Sequence, residues 1–439
     1  MALDVSTLYP QEDDAQRALE RDLTAVAATM LGSRILGIAS EVKALAATDP
    51  DLCNLTVGDF SPAQFPIPAA LSKAIEQELA SGETNYPPAD GMPALREAVT
   101  EFYAERFGLK FPVGSVVVGS GARPPIFSTY ACLLEPGDTV LYAAPSWNNE
   151  YYIHLNQARA TTVVCRAENG FMPTLADLQP HLSTARVLHL NSPLNPCGTC
   201  ITKEGLAEIA QAVVDENKRR AANGERSLFL LYDMVYWLLT YGDTEFYHPI
   251  SLVPEVAPWV ISVDAISKWM AATGLRVGWG VVPPHLQGKF KAFVGHMGAW
   301  APRPAQLATA KILRQPELLD DFLVGFKAQI QERLDTIYNH CSSMAAEGLP
   351  VRAIEPQGAI YLSVQIDLMG RTLPSGEVVE SNEQVRQYLL HEARVAVVPF
   401  RAFGLENETG WFRMSVGAVS TEALDQGMQR IADAIRRTH

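Results

Sequence analysis

Apolar runs and polar clusters alternate along this chain so that predicted strands end in chemistry-bearing residues. The apolar run 259–263 reads as a buried strand and 276–282 as a second, which leaves Lys268 in the short connection between them. Open α/β sheets gather ligand chemistry at such strand ends. β-branched and apolar runs predict further strands over 115–119, 138–143, 185–190 and 228–232. Helical spacing of Leu23, Val26, Ala27, Met30 and Leu31 predicts a helical arm over about 16–47. A helix follows over 69–80, closed by Gly82, then one at 92–99 with Pro93 in its first turn, and another over 203–220.

Strand, helix, strand at these separations argues for an α/β fold whose sheet is mostly parallel and covered by helices on both faces. From about residue 317 the texture changes to a long helix (322–347), short strands (351–354 and 360–364), a helix (383–394) and a strand (411–416). The expected division is therefore an N-terminal helical arm, 1–58, contributing to a small domain; a large domain, 59–316; and a smaller α+β domain, 317–439. A chain of 439 residues is long enough for this arrangement.

The net charge of −14, with no basic stripe to offset it, argues against nucleic acid as a partner. The acidic N-terminal stretch lacks the basic flank and apolar run of a signal peptide, and no apolar stretch reaches membrane-spanning length. A cytoplasmic protein without membrane contact is expected. Six cysteines in so long a chain do not form a disulfide framework. Cys197-Gly198-Thr199-Cys200 has CxxC spacing, but no second CxxC or nearby His pair completes a tetrahedral metal site, so no metal is expected.

The candidate chemistry lies where strands stop. Ser120-Gly121-Ala122-Arg123-Pro124 joins a strand to a helix start, whose free N–H groups suit a phosphate. Pro145-Ser146-Trp147 ends the next strand, and Trp147 suits either stacking on a planar ligand or core packing. Asn191 to Pro196, then Asp233, then Ser267-Lys268 end the following strands. An aspartate at the end of an apolar strand needs a cationic partner. Tyr86 sits in the rigid turn Asn85-Tyr86-Pro87-Pro88.

Together these clusters resemble the class I/II aminotransferases of the fold-type I pyridoxal-phosphate enzymes, over essentially the whole chain. Ser267-Lys268, Gly274, Arg276 and Gly278 stand at the spacing of that family's lysine signature. The resemblance implies pyridoxal 5'-phosphate as cofactor, held covalently by Lys268, which also shuttles the substrate proton. It implies Arg276 and the turn Gly121, Ala122, Arg123 at the phosphate, with Ser267 beside them. Asp233 is implied at the pyridine nitrogen, Tyr236 and Asn195 at the phenolic oxygen, and Trp147 on the ring. Arg413 would grip the substrate α-carboxylate, Gly58 and Asn195 would lie beside the substrate, and Tyr86 would reach the phosphate of a neighbouring subunit in a homodimer with shared active sites.

The implied activity is transamination between an L-amino acid and a 2-oxo acid by a ping-pong cycle. A pyridoxal-phosphate lyase or decarboxylase on the same scaffold, or a non-catalytic ligand-sensing module, are the alternatives. The sequence departs from the family pattern at Ala265, at Cys197 in Asn195-Pro196-Cys197-Gly198, and at Arg401 and Arg303. Either arginine suits a second acidic group on the substrate or a surface ion pair. Phe60, Trp147, Trp237 and Tyr361 suit an aromatic one.

Overall fold

The computed structural model describes residues 2–9, 12–30 and 32–439; Leu31 of the expected arm and Met1, Pro10 and Gln11 of the N-terminal segment lie outside them. The arm is not the single helix expected. It consists of helices Glu12–Asp22, Ala25–Ala28 and α1 (Arg34–Ala46). Thr24 breaks the first stretch by capping the second, its hydroxyl accepting from the backbone N–H of Ala27, and Ser33 is extended before α1.

The chain continues through β1 (Cys53–Asn54), α2 (Ala69–Ala80), α3 (Pro93–Phe107), β2 (Val116–Ser120), α4 (Arg123–Leu133), β3 (Thr139–Ala144), α5 (Asn149–Leu155) and β4 (Arg159–Val164). Then come β5 (Ala185–Asn191), α6 (Lys203–Ala222), β6 (Phe229–Asp233), β7 (Val260–Ala265), the single turn α7 (Ile266–Trp269) and β8 (Val277–Val281). These strands form one sheet in the order β2-β8-β7-β6-β5-β3-β4. Pairing is parallel from β7 through β4, and β8 alone runs against both its neighbours. The mostly parallel α/β sheet is thus present, with one reversal whose cause is local. Residues 266–276 are too few for a crossover helix, so β8 returns antiparallel to β7.

Leu188, Leu190, Leu230 and Tyr232 pack on one face of this sheet, and Val187, Phe229, Leu231, Ile261 and Val263 on the other. Burial of both faces explains why these strands read as unbroken apolar runs. The edge strand β4 was not expected. Its residues are mostly exposed or half-buried, which removes the apolar signal.

Past β8 come α8 (Arg303–Leu313), α9 (Pro316–Ala346), β9 (Val351–Ala353), β10 (Tyr361–Ile366), β11 (Val395–Ala396), β12 (Val398–Pro399), β13 (Trp411–Ser415) and α10 (Thr421–Arg436). An antiparallel sheet forms in the order β12-β13-β10-β9. The N-terminal segment joins this C-terminal layer, since β1 pairs in parallel with β11 and Val42 of α1 packs against Leu390 and Ala396. Among the described residues, no helix is long and apolar enough to cross a membrane.

Candidate active site

A cavity of about 590 Å³ opens at the C-terminal ends of β5, β6 and β7, with β10, β13 and α1 on its far side. Eleven of the thirteen site residues that the resemblance implies line it, namely Gly58, Ala122, Arg123, Trp147, Asn195, Asp233, Tyr236, Ser267, Lys268, Arg276 and Arg413, and so do Ala265 and Tyr361. Lys268 sits on α7, where the turn after β7 projects it inward, and its Nζ donates to the carbonyl of Gly58 at 2.7 Å. The ammonium also lies 5.6 Å from the centre of the Tyr236 ring.

Asp233, the last residue of β6, is buried, and burial pushes its carboxyl up to about 6 despite the backbone N–H of Val235 and the Lys268 charge, which pull it down. Tyr236 shares a hydrogen bond of 2.7 Å with the hydroxyl of Tyr361, and burial, followed by Tyr361, holds its hydroxyl well above the usual phenol range.

Arg276 has left-handed backbone torsions (φ 56°) between a turn and β8. That conformation is uncommon for a residue with a side chain. Its guanidinium donates to the carbonyls of Thr273 at 2.7 Å and Ser120 at 2.8 Å, which brings it against the start of α4. Gly121 (φ +86°) makes this approach possible, because a Cβ there would lie 2.5 Å from Arg276 Nη2. Burial, then the charge of Arg123, lowers the pKa of Arg276.

Arg413 on β13 is 1% exposed. Its Nη1 donates to Asn195 Oδ1 at 3.1 Å and its Nη2 to the carbonyl of Thr56 at 2.6 Å, while Nε is buried without a partner. Tyr361 and Phe403 cover the guanidinium, with ring centres at 4.6 and 4.9 Å. Among the described residues no carboxylate pairs with it. A buried guanidinium in that condition is costly unless a ligand supplies the charge.

Five other residues singled out from the sequence do not line this cavity. Arg303 pairs with Glu83, and Arg401 with Glu406 and Glu408, all away from the cavity. Phe60 packs against Phe65 and Phe326 in the core. Trp237 points the other way, donating from Nε1 to the buried Asp264 at 2.8 Å. Tyr86 is 80% exposed and meets Trp300 edge-on.

Sequence reasoning missed His189 and the apolar contribution of Ile35, Leu36 and Ala39 from α1, all lining the cavity. His189 lies two residues before Asn191 on β5, so strand alternation places both on one face. All six cysteines are free, and burial pushes Cys200 up to about 12. Among the described residues, no group of three or more His, Cys, Asp or Glu side chains is arranged to hold a metal ion.

The side chains fit pyridoxal phosphate. The glycine-opened cradle at the start of α4 and the Arg276 fork suit its phosphate, and Asp233, buried with no cation bonded to it among the described residues, suits a protonated ring nitrogen. Lys268 offers the amine to hold its aldehyde.

The family described as aminotransferase class I and II matches residues 50–431. An aspartate aminotransferase of Rhizobium meliloti (strain 1021) is 29% identical over 409 residues, 92% of this chain and 94% of the relative. An aspartate aminotransferase of Pyrococcus horikoshii is 30% identical over 391 residues, 88% and 91% of the two chains. Among solved structures, the aspartate aminotransferase from Rhizobium meliloti superposes with a TM-score of 0.86 at 26% identity, covering 95% of this chain and all (100%) of that one. The aspartate aminotransferase from Thermus thermophilus with maleate gives 0.82 at 25% identity, covering 94% and 100%.

Proposed function

Because this chain belongs to the class I and II aminotransferases, pyridoxal-phosphate enzymes that move an amino group between amino acids and 2-oxo acids, we propose that Lys268, Asp233 and Tyr236 carry that reaction in the cavity described and that its substrates are dicarboxylic. The observation that carries the reading is Arg413, a buried guanidinium without a carboxylate partner, facing the same cavity as the Lys268 amine and the Asp233 carboxyl.

When bound, the cofactor supplies an aldehyde for the amino group and an electron-withdrawing ring. Lys268 Nζ would hold it covalently at rest and, once displaced by substrate, would take the proton from the substrate Cα and give it back at the next step. Asp233 would keep the ring nitrogen protonated by pairing with it. Tyr236 Oη and Asn195 would bond the phenolic oxygen, Trp147 would lie on the ring, and Arg276, the backbone of the turn 121–123 and Ser267 would hold the phosphate. Arg413, steadied by Asn195, would clamp the α-carboxylate and so set the Cα–H bond across the ring plane. Gly58 would lie beside the substrate and lets Tyr361 and Arg413 approach, since a Cβ there would lie 2.9 Å from Tyr361 Oη and 3.7 Å from Arg413 Nη1.

The dicarboxylate reading rests on Arg123. Lysine 268 and Arg276 donate to backbone carbonyls and Arg413 to Asn195 and a carbonyl, whereas the Arg123 guanidinium lies over Trp147, 4.7 Å from a ring centre, with no carboxylate on it among the described residues. It is the cation at the cavity mouth left to read a second acid group, and the relatives named aspartate aminotransferase support this choice. Single half-reactions with aspartate, glutamate, alanine and phenylalanine test it. Arg123→Gln should lower kcat/KM for aspartate by about 100-fold and leave alanine within twofold; equal losses for both would refute the reading.

Exposed Tyr86 would reach the phosphate of a neighbouring subunit, making the protein a homodimer, which sedimentation and mixed Tyr86→Phe and Lys268→Ala chains test. The chain would divide into an arm (1–58), a large domain (59–316) and a small domain (317–439). Free thiols and an acidic surface suit a cytoplasmic location.

A further inference from the structure

Close to Lys268 in the chain stands a buried acid that the proposed chemistry leaves without a task. Asp264 on β7 is 0% exposed and pairs with Trp279 in the β7–β8 register. Its Oδ1 accepts from the backbone N–H of Ala265 at 2.7 Å and from Trp269 Nε1 at 3.1 Å, and its Oδ2 from Trp237 Nε1 at 2.8 Å and from Tyr103 Oη at 3.0 Å. Trp279 Nε1 donates to Tyr103 Oη at 2.8 Å. An indole N–H only donates, so the phenol accepts there and its own proton goes to Asp264. Trp269 directly follows Lys268, and Trp237 directly follows Tyr236. The parallel β6–β7 ladder ends at Asp233 and Val263, and one more backbone bond, from the N–H of Met234 to the Val263 carbonyl at 3.0 Å, closes it. Beyond that point no backbone hydrogen bond among the described residues joins the turn after β6 to α7. What joins them is the Asp264 side chain, with one oxygen on each indole. Phe102 on α3 backs both indoles, its ring centre 5.6 Å from that of Trp237 and 6.0 Å from that of Trp269.

We propose that Asp264 is a positioning residue that holds the Lys268 amine and the Tyr236 hydroxyl in fixed relation, acting through the indoles of Trp269 and Trp237. The proposal rests on the assignment of Lys268 and Tyr236 to the reaction. Those two side chains meet in the cavity, where Lys268 Nζ lies 5.6 Å from the Tyr236 ring centre. An ionised carboxylate can accept from all four donors, whereas an amide offers one oxygen and turns its own N–H groups against the donors on the other side. Burial pushes the Asp264 carboxyl up to about 7, while the bonds from Trp269, Trp237, Ala265 and Tyr103 pull it down. Tyr103 on α3 is the titratable group bonded to it, and burial, then the Asp264 charge, holds that phenol well above its usual range, so it stays a donor. Kinetics at about pH 8.5 therefore read the ionised acid.

Asp264→Asn, Trp237→Phe and Trp269→Phe test the proposal. Each Phe variant removes one N–H and keeps the carboxylate, so the pair reads the proposal even if the amide variant does not fold. In the cofactor-loaded enzyme each Phe variant should lower kcat about tenfold and Asp264→Asn about 100-fold, with KM within about twofold because Arg413 is untouched. In a Tyr236→Phe background, Trp237→Phe should cost less than about twofold, since its effect runs through that hydroxyl. In the cofactor-free protein, the indole ¹H–¹⁵N signals of Trp237 and Trp269 should both move in Asp264→Asn, and affinity for pyridoxal phosphate should weaken. Unmoved indole signals, or a Trp237→Phe loss equal in both backgrounds, overturn the proposal. If Lys268→Ala is inactive while the Asp264 and Trp variants keep the wild-type kcat and lose only urea stability, Asp264 is a structural core acid and the Lys268 assignment stands. If Lys268→Ala is fully active, that assignment itself falls, and the proposal with it.

Discussion

Arg413 on β13 donates through Nη1 to Asn195 Oδ1 at 3.1 Å, so the proposed carboxylate clamp and the loop after β5 are held as one piece although they come from different sheets. Replacing Arg413 by Lys keeps the charge and loses the fork. We expect KM for both amino acid and 2-oxo acid to rise about 100-fold, roughly the 3 kcal/mol of a bidentate charge-assisted pair. Cofactor affinity, measured by absorbance titration, should stay within threefold.

The proposed pairing of Asp233 with the ring nitrogen makes cofactor binding depend on pH. Its carboxyl is pushed up to about 6 by burial, so the charged form that pairs with a protonated ring nitrogen is lost as pH falls through 6. Affinity of the cofactor-free protein for pyridoxal phosphate should therefore weaken below pH 6. In Asp233→Asn that step should vanish, and kcat should fall by about 10² or more, the scale of losing one preorganised electrostatic partner. An unchanged pH profile in the variant would count against the assignment.

Gly278 holds β8 against the turn 121–123. A Cβ there would lie 2.5 Å from the carbonyl carbon of Gly121, 2.8 Å from the Ala122 nitrogen and 2.9 Å from Ala265 Cβ, and backbone atoms cannot step aside. Gly278→Ala should cost about 1–3 kcal/mol in urea unfolding and weaken cofactor binding. Gly274→Ala, where nothing lies within 4 Å, is the control and should change neither.

His248 is buried, its Nε2 2.9 Å from Ser262 Oγ and its Nδ1 accepting from the backbone of Ile250, and burial pushes it down to about 3. The unfolded chain takes up a proton near pH 6.5 that the folded chain refuses. The stability tied to this group is full above pH 6.5 and drains at up to about 1.4 kcal/mol per pH unit as pH falls toward 3. Asp233 and Asp264, pushed up to about 6 and about 7, act in the opposite sense, losing stability as pH rises toward those values. His248→Asn should therefore make the acid side of the stability curve shallower by about one proton, as read from chemical denaturation at pH 4 to 7.

The buried strands and their terminal residues were legible because burial on both faces of a parallel sheet writes long apolar runs, and because Asp233 and Lys268 interrupt them with charge. The edge strand β4 and the two-residue β1 and β11 were not, being exposed or too short to show a period. Arg413 was found only through the family resemblance, since nothing near it in sequence marks a guanidinium that Tyr361, Phe403 and Asn195 surround from distant segments. His189 was hidden for a similar reason. Inside an apolar strand it looks like a core histidine, and only the fold turns its small exposed part to the cavity. For Arg303 and Arg401 the choice between a substrate group and an ion pair stayed open because sequence does not reveal the glutamates that pair with them.

Hydride reduction of the cofactor-loaded protein, followed by peptide mass mapping, tests the central claim most directly. Lys268, its amine 2.7 Å from the Gly58 carbonyl inside the cavity, should carry the reduced cofactor in stoichiometric amount, and Lys268→Ala should carry none. Stoichiometric modification of any other lysine, with Lys268 untouched, would contradict the account.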